Sequence, residues 1–362
     1  MPISYDLFVN SSSIKEKEKF VRIFPNGGTL SKEDLEEYHR KYIQLYVPED
    51  QRRVYLRSLI KTDADDVKKT TVIKTAALEY LHNIFDKGKD QFSTEYLSES
   101  IEGCKEVVGA MVDVLDHHNI DSLRNLIGNL SFHDFYTYDH SINVSMYCIT
   151  IYKALNPKAT RRELIHAGLG GLLHDLGKVK IPTHILNNPG GLTDEEYQMI
   201  KKHPDFGLEL LLNGHCEVDG EIDLKIIARV VNEHHENFDG TGYPKKLKGK
   251  EQIHLLARVC TIADFFDAIT TKRSYSQVLT IPEAMNTMRK FRGIKLDPVI
   301  FDVFDNHIRY VKAEATRDLK LSDAFDPTLP YAVLPIEEIK QFKKEMDFGK
   351  IKVVDPTPRK KA

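Results

Sequence analysis

Histidine and aspartate side chains that could bind metal ions are concentrated in one part of this 362-residue chain. Of its 15 histidines, nine fall between His133 and His235. A neutral imidazole and a carboxylate can bind one divalent ion together, and the second oxygen of the carboxylate can bridge to another ion. The sequence therefore predicts that the chemistry of the protein lies in this region.

The segment LIHAGLGGLLHDLGKVKIP brings three polar residues to the end of an apolar helix. His174 and Asp175 are adjacent, and Lys178 follows one turn beyond His174 on the same helical face. Taken alone, a His-Asp pair has an ordinary structural interpretation, because hydrogen-bonded contacts at helix ends are common. The residues around it decide between that interpretation and a metal site.

Two further helical patterns carry polar residues on apolar faces. In DLKIIARVVNEHHENF, the face of Val230 and Val231 continues into His234. His235 follows about 100° around the helix. In IHLLARVCTIADFFDAITT, Asp264 falls on the apolar stripe, where a carboxylate is costly unless it is paired or bound to a metal. Metal ligation would explain both the adjacent imidazoles and the buried carboxylate.

Two more histidines complete the pattern. His140 lies on the inner face predicted for the helix in HDFYTYDHSINVSMYCITIYKAL. His203 ends a helix that begins with a capping box of Thr193 and Glu196, and Pro204 follows it, so by itself it resembles an exposed helix-end residue. Any one of these histidines is more commonly structural, whereas the whole set, able to face a common centre, predicts metal binding.

Four motifs in this region resemble the HD-GYP family, a branch of the HD phosphohydrolases. They are HDLGKVKIP, PGGLTDEE, HHENFDGTGYP and ADFFDAITTKRSY, they stand in the family's order, and the resemblance covers residues 131–310. It implies an all-helical bundle, hydrolysis of cyclic di-GMP, and metal ions that are often iron or manganese.

The resemblance also implies seven metal ligands in two overlapping groups. His140, His174, Asp175 and Asp264 would hold one ion, and Asp175, His203, His234 and His235 would hold the second. Two such ions would acidify a bridging water to hydroxide, orient it for attack on a phosphodiester, and neutralise charge on the phosphoryl oxygens.

Residues for catalysis and substrate binding follow from the same resemblance. Lys178 would touch the phosphate or the nucleophile and act with Asp175 in catalysis. Gly242 and Tyr243 would shape the substrate pocket, and Arg273 would bind phosphate through its planar guanidinium group. The plain alternatives are a solvated lysine at a helix end and a tight turn built on the glycines of GTGYP.

Two positions depart from the family pattern. Some members place a glutamate for a third metal where this chain has Tyr136, which favours two ions. After Arg273 the chain reads Ser274, Tyr275 and Ser276, without the usual proline and second basic residue. Phosphate binding and the preferred cyclic dinucleotide are therefore less well specified.

The sequence leaves more than one function open. The first hypothesis is an active phosphodiesterase that opens cyclic di-GMP to linear pGpG and continues to GMP. The second is a catalytically weak member that senses a cyclic dinucleotide or binds partner proteins, which the residues after Arg273 motivate. Action on another phosphoester is disfavoured by the complete GYP loop.

The elements that must position these residues are mostly helices, so the predicted fold class is mainly α with a small N-terminal α/β domain. Residues 1–62 contain three strand-like segments and a helix capped by Ser31, and we expect them to regulate or dimerise the protein. Residues 63–130 form a helical connector and 131–315 the HD-GYP domain. Residues 316–362 are expected to be a partly disordered extension.

Composition narrows the remaining choices. Charged residues are 29%, apolar residues 41% and the net charge −3, which indicates a globular protein without affinity for DNA. Four cysteines without a CxxC pair argue against disulfides and thiolate zinc sites. No apolar run suits a membrane span and no leader is recognised. We expect a cytoplasmic protein whose partners are a cyclic dinucleotide, a second copy of the chain and signalling proteins.

Overall fold

The structure is a computed structural model. It describes residues 3–12, 19–42, 45–48, 51, 54–55, 58, 66–87, 94–117, 139–186, 192–212, 218, 220–271, 279–308, 319–321 and 336–338.

Helices dominate these residues, and the predicted mainly α class is confirmed. They are α1 Lys32–Lys41, α2 Asp66–His82, α3 Thr94–His117, α4 Asp139–Leu155, α5 Arg161–Leu173, α6 Thr183–Leu186, α7 Asp194–Ile200, α8 His203–Leu212, α9 Leu224–Glu233, α10 Gly249–Gln252, α11 Leu255–Thr270, α12 Ile281–Arg289 and α13 Pro298–Ile308. A π-helical turn, Asn83–Lys87, follows α2, and a 3₁₀ turn, Leu176–Lys180, follows α5. None of the helices in the described part of the chain is long and apolar enough to cross a membrane.

The N-terminal unit combines a strand pair with one helix. Strands β1 Leu7–Asn10 and β2 Phe20–Phe24 are antiparallel. In the region of the third predicted strand, the described residues form an isolated bridge between Phe8 and Tyr46, and residues 43 and 44 lie outside the described part. Helix α1 begins with the expected cap, in which the Ser31 hydroxyl accepts from the backbone N–H of Asp34 at 3.0 Å.

The connector helices α2 and α3 share one hydrophobic core with the helices that follow them. The apolar faces predicted from their spacing are buried, as Ala77 and Leu81 illustrate in α2 and Ile101 and Val108 in α3. This core continues through α4, α5, α9, α11, α12 and α13. The domain boundaries at 62/63, 130/131 and 315/316 stay predictions, although the connector packs against the bundle as part of the same core.

Helix α5 lies at the centre of the bundle and contacts α3, α4, α9 and α11. Small residues allow this close approach. A Cβ atom at Gly171 would lie 2.9 Å from the Cα of Ser145 and 2.9 Å from the Sγ of Cys148, both on α4. Because α5 can press against α4 and α9 at once, the polar residues at its C-terminal end are brought beside those of both neighbours.

Within the predicted C-terminal extension, strands β3 Leu319–Leu321 and β4 Ile336–Glu338 form an antiparallel pair. Strand β3 contacts α12, so part of this segment lies against the bundle.

Candidate metal centre

The seven predicted ligands come from separate elements and meet at one end of the bundle. His140 is in the first turn of α4, His174 caps α5 with Asp175 after it, His203 begins α8, His234 caps α9 with His235 after it, and Asp264 lies within α11. Their ligand atoms form two groups, each with all atoms within 4.8 Å of one another. We call His140, His174 and Asp264 cluster A, and Asp175, His203, His234 and His235 cluster B.

Cluster A is organised around His140. Its Nε2 lies 3.1 Å from Oδ1 of Asp264, and its Nδ1 donates to Oδ2 of Asp267 at 2.7 Å. The Nε2 of His174 is 4.0 Å from the same Asp264 oxygen. The side chain of His140 is partly exposed, whereas those of His174 and Asp264 are buried.

Cluster B is organised around Asp175. Its Oδ1 lies 3.4 Å from the Nε2 of His203, and that nitrogen lies 3.3 Å from the Nε2 of His234. Its Oδ2 lies 3.2 Å from the Nε2 of His174, so this carboxylate also reaches the edge of cluster A. All four residues of cluster B are buried.

Backbone carbonyls fix the orientation of three imidazoles. The Nδ1 atoms of His174, His203 and His234 each bond the carbonyl oxygen three residues earlier in the chain, at 2.7, 2.8 and 2.9 Å. A carbonyl can only accept, so each Nδ1 carries a hydrogen, and the lone pair of the neutral form of each ring is then on Nε2. This is the tautomer that a metal-binding histidine requires.

The inward atoms need a cation between them. With hydrogen on both Nδ1 atoms, the Nε2 lone pairs of His203 and His234 face each other at 3.3 Å without a hydrogen between them. Oδ1 of Asp175 and Nε2 of His235 are also buried without a hydrogen-bond partner among the described residues. Buried polar atoms without partners are costly, and a divalent ion would satisfy all four. The donor set thus fits divalent metal binding.

The pKa values of cluster B support the same reading. Burial lowers the pKa of His234 to about 4. Burial also holds the pKa of His203 and of His235 well below the usual range, and for His235 the neighbouring imidazoles add to the effect. Burial opposes ionisation of Asp175, but the imidazole of His174 and the ammonium of Lys178 outweigh it, so the pKa of Asp175 lies well below its usual value. Neutral imidazoles around an ionised carboxylate are the forms that bind metals.

His140 behaves differently from the imidazoles of cluster B. Burial lowers its pKa, but hydrogen bonds to Asp264 and Asp267 outweigh that effect and raise the pKa to about 9. The pKa of Asp264 is lowered, since the hydrogen bond with His140 outweighs the effect of burial. In the protein without metal, a protonated His140 therefore balances the carboxylates of cluster A.

The position of His203 favours the metal-ligand interpretation over that of an exposed helix-end residue. It does not lie at an exposed helix end: α7 ends at Ile200, a new helix begins at His203, and the His203 side chain is completely buried. A glycine allows this burial, because a Cβ atom at Gly177 would lie 1.9 Å from the His203 carbonyl oxygen. The 3₁₀ turn after α5 thus packs directly on the start of α8.

Of the predicted substrate-binding residues, Lys178, Gly242 and Tyr243 lie close to the clusters. The ammonium of Lys178 lies 2.7 Å from Oδ2 of Asp175, at the edge of the site. Tyr243 stacks on His235 with ring centroids 4.9 Å apart, and the preceding residue, Gly242, is buried. Arg273 lies outside the described residues, as do Tyr136 and the segment 274–276.

Sequence reasoning missed the residues that orient His140. Asp267 accepts from His140 on one oxygen, and on Oδ1 it accepts from the Asn143 amide at 2.9 Å and the Thr271 hydroxyl at 2.7 Å. The signal was present, because the motif DFFD spaces Asp264 and Asp267 for one helical face. A second carboxylate on a buried stripe needs a partner just as the first does.

Comparisons with known proteins agree with this geometry. Residues 125–300 match the family model of the HD domain. Cyclic di-GMP phosphodiesterase PA4108 of Pseudomonas aeruginosa is 41% identical over 192 residues, which cover 53% of this chain and 43% of that protein. The 3'3'-cGAMP-specific phosphodiesterase 2 of Vibrio cholerae is 28% identical over 202 residues, 56% of this chain and 37% of that protein. The chain thus spans less than half the length of these curated relatives.

A solved structure extends the similarity of fold beyond the matched domain. Bd1817, an HDG"Y"P protein from Bdellovibrio bacteriovorus, aligns with a TM-score of 0.55 over 85% of this chain and 95% of that one. At 19% identity this similarity concerns the fold alone.

Proposed function

We propose that the protein is a metal-dependent phosphodiesterase that hydrolyses cyclic di-GMP, since residues 125–300 match the HD-domain family model and a cyclic di-GMP phosphodiesterase is 41% identical. One observation carries this proposal. Five imidazoles and two carboxylates converge at one end of the bundle. In cluster B, buried lone pairs without hydrogen-bond partners face one another, an arrangement that is unfavourable unless a cation lies between them.

Both clusters take part in the proposed metal binding. One ion is assigned to His140, His174, Asp175 and Asp264, and the second to Asp175, His203, His234 and His235. When bound, the two ions lower the pKa of a water molecule and neutralise the negative charge that builds on the phosphoryl oxygens.

We propose iron or manganese as the metals. The ligands are imidazoles and carboxylates without a thiolate, and such nitrogen and oxygen sets suit iron and manganese as well as other divalent ions.

The residues of the chain supply binding and charge around the reacting phosphate. Asp175 stays ionised at neutral pH and holds the shared position between the clusters. Lys178, in contact with Asp175, offers ammonium donors to a phosphate oxygen or to the nucleophile. Gly242 and Tyr243, which lie beside His235, are proposed to shape the substrate pocket, and Arg273 is proposed as a further phosphate contact.

The proposed substrate class rests on the relatives. The proteins named above are phosphodiesterases for cyclic di-GMP and for 3'3'-cGAMP. Since the cyclic di-GMP phosphodiesterase is 41% identical and the cGAMP-specific one 28%, we propose cyclic di-GMP as the preferred substrate, with linear pGpG and then GMP as products.

We also propose a cytoplasmic enzyme that the N-terminal unit regulates through a homodimer or signalling partners. Support for a reducing compartment comes from Cys104, Cys148 and Cys260, which are buried free thiols. Cys216 lies outside the described residues.

The test is an anaerobic turnover assay on the full chain loaded with Fe²⁺ or Mn²⁺. Cyclic di-GMP, 3'3'-cGAMP and a cyclic mononucleotide are supplied separately, and products are separated by chromatography. The proposal predicts metal-dependent release of pGpG from cyclic di-GMP, removed by a chelator and restored by the metal.

Two other outcomes would replace the proposal. Tight binding of cyclic di-GMP without turnover with either metal would make the protein a sensor. Faster hydrolysis of another phosphoester would keep the metal centre but change the substrate.

A further inference from the structure

One imidazole of cluster B lacks the hydrogen bond that orients the others. His203 and His234 are each held through Nδ1 by a backbone carbonyl, whereas no described residue forms a hydrogen bond with the ring of His235. Its ring is nevertheless buried, its Nε2 has no partner, and one of its ring nitrogens lies within 4.8 Å of the other ligand atoms of the cluster. Another contact must therefore set its rotation.

The rings of His203 and His234 lie edge-on and tilted to that of His235, with centroids 5.2 and 4.0 Å away, and among the described rings the one that stacks on it is that of Tyr243. The two rings lie at an interplanar angle of 20° with centroids 4.9 Å apart, which is an offset stack. The backbone N–H of Tyr243 also donates to the carbonyl of His235 at 3.1 Å, so the tyrosine is attached to the residue whose ring it covers.

The loop that carries Tyr243 is held closely against this histidine. A Cβ atom at Gly242 would lie 2.5 Å from the carbonyl oxygen of His235, so only glycine allows the approach. The carboxylate of Glu236 accepts from the backbone N–H groups of Lys245 at 2.6 Å and Leu247 at 2.9 Å, on the far side of the tyrosine. The loop is therefore fixed on both sides of the ring.

A cation from a different element holds the tyrosine itself. The ammonium of Lys201, which caps α7, lies 4.6 Å from the centroid of the Tyr243 ring, within cation–π distance. Lys201 precedes His203 by two residues, so the same short segment supplies one ligand of cluster B and supports the ring that orients another.

We infer that Tyr243 is a positioning residue for the metal centre: its ring fixes the rotation of His235 in place of the backbone hydrogen bond that His203 and His234 possess. This rests on the proposed function, since it takes His235 as a ligand. It gives the GYP tyrosine a role in metal affinity at cluster B, separate from any contact with the nucleotide. Partners that orient a metal ligand typically account for about 10- to 100-fold in metal affinity.

The experiment compares Tyr243→Leu with Tyr243→Phe in the full chain, titrated anaerobically with Co²⁺ after complete chelation. The cobalt absorption bands report coordination, and elemental analysis reports the number of ions bound. Leucine fills the space without a ring, whereas phenylalanine keeps the stack and loses only the hydroxyl. We expect about a tenfold or greater loss of affinity for one of the two ions in Y243L and less than about a twofold change in Y243F.

Matched variants separate positioning from general damage. Tyr197→Leu removes another half-buried tyrosine ring near Lys201, 5.5 Å from its ammonium, and should leave both cobalt affinities unchanged. Tyr243→His restores a flat aromatic ring and should recover the cobalt affinity that Y243L loses. It therefore tests the role of the ring even if Y243L folds poorly.

The outcomes are distinguishable from failure of the proposed function. A wild-type chain that binds no cobalt contradicts the proposed metal centre. A wild-type chain and Y243L that bind two ions equally tightly overturn the positioning role alone, and the same holds if Y243F or Y243H loses as much affinity as Y243L.

Discussion

Clusters A and B share one end of the helical bundle, but they balance their buried groups in different ways. In cluster B the pKa of His203, His234 and His235 is lowered, so uncharged rings turn lone pairs toward each other. In cluster A the pKa of His140 is raised to about 9, so the imidazolium itself balances the nearby carboxylates.

The difference in protonation determines what each cluster must change in order to bind an ion. Cluster B already has its rings in the protonation state that binds metal, and it gains partners for atoms that otherwise have none. Cluster A must exchange one proton of His140 for the ion, since a protonated imidazole has no free lone pair. Asp175 belongs to both arrangements, because its two oxygens reach His203 on one side and His174 on the other.

The largest effect is expected at Asp175, the residue that both proposed ion sites share. Asp175→Asn removes the charge that both clusters use while it keeps the size of the side chain. We expect activity to fall by more than about 100-fold, because loss of even an outer partner of a ligand costs on the order of 10- to 100-fold in metal affinity. Turnover and metal content are measured together.

Asp302→Asn is the matched control, since Asp302 is an exposed carboxylate that pairs with Arg292 far from the clusters. It should change turnover by less than about twofold, as exposed ion pairs contribute little. If D175N kept both ions and most of its turnover, the clusters would be independent of this carboxylate.

Asp267→Asn should separate the clusters. The donors Asn143 and Thr271 hold an oxygen at the Oδ1 position, so the new amide N–H₂ faces Nδ1 of His140. His140 must then accept at Nδ1 and carry its hydrogen on Nε2, the atom that should bind the ion. We expect about a 10- to 100-fold loss of affinity for one ion, measured by calorimetry with Mn²⁺.

The second Mn²⁺ ion is the internal control in D267N. Its affinity should stay within about threefold of wild type, because no described contact joins Asp267 to cluster B. Equal weakening of both ions would mean that Asp267 supports the bundle in general and does not act on His140 in particular.

Proton release on metal binding sharpens the contrast between the clusters. The pKa of His140 is about 9 and that of His234 about 4, so at pH 7 the first ring is protonated and the second is not. On ion binding, the ring of His140 should therefore release about one proton, whereas the rings of cluster B should release none.

Calorimetry of Mn²⁺ binding in buffers with different ionisation enthalpies counts these protons. His140→Asn should release about one proton fewer per chain than the wild type. His307→Asn, which removes a half-buried ring elsewhere in the bundle, should release as many as the wild type. Equal proton release by the wild type and H140N would contradict the assignment of a protonated ring to His140.

Much of this site could be predicted from sequence, for a physical reason. His234 and Asp264 continue apolar faces at helical spacing, and a polar residue in that position is buried whatever the neighbouring helix contributes. The two capping boxes read from sequence, at Ser31 and at Thr193, are present because they depend only on residues three positions apart.

Features that depend on contacts between distant residues could not be read in this way. His203 is buried because Gly177 docks on its backbone, and the ring of His235 is oriented by a tyrosine from the following loop. No periodicity reports such contacts, since they form only once α5, α8 and α9 have packed together.

The smallest effect concerns a buried histidine outside both clusters. His166 lies on α5, and its Nε2 accepts from the backbone N–H of Asp223 at 2.9 Å. Burial, with the charge of Arg162 adding to it, lowers the pKa of His166. The neutral form therefore stabilises the fold above the unfolded pKa of about 6.5, and this stabilisation is lost as pH falls toward the folded value, by less than about 1.4 kcal/mol per pH unit.

His166→Gln keeps an acceptor for Asp223 but cannot titrate, so the difference between the two proteins isolates this ring. Chemical unfolding of both, in chelator to exclude metal, is measured at pH 7.5 and pH 5.5. The free energy of unfolding of the wild type should fall more than that of H166Q over this range. Parallel changes would mean that His166 does not sense pH, and that the acid sensitivity of the metal-free bundle arises from the clusters themselves, where the pKa of His203, His234 and His235 is also lowered.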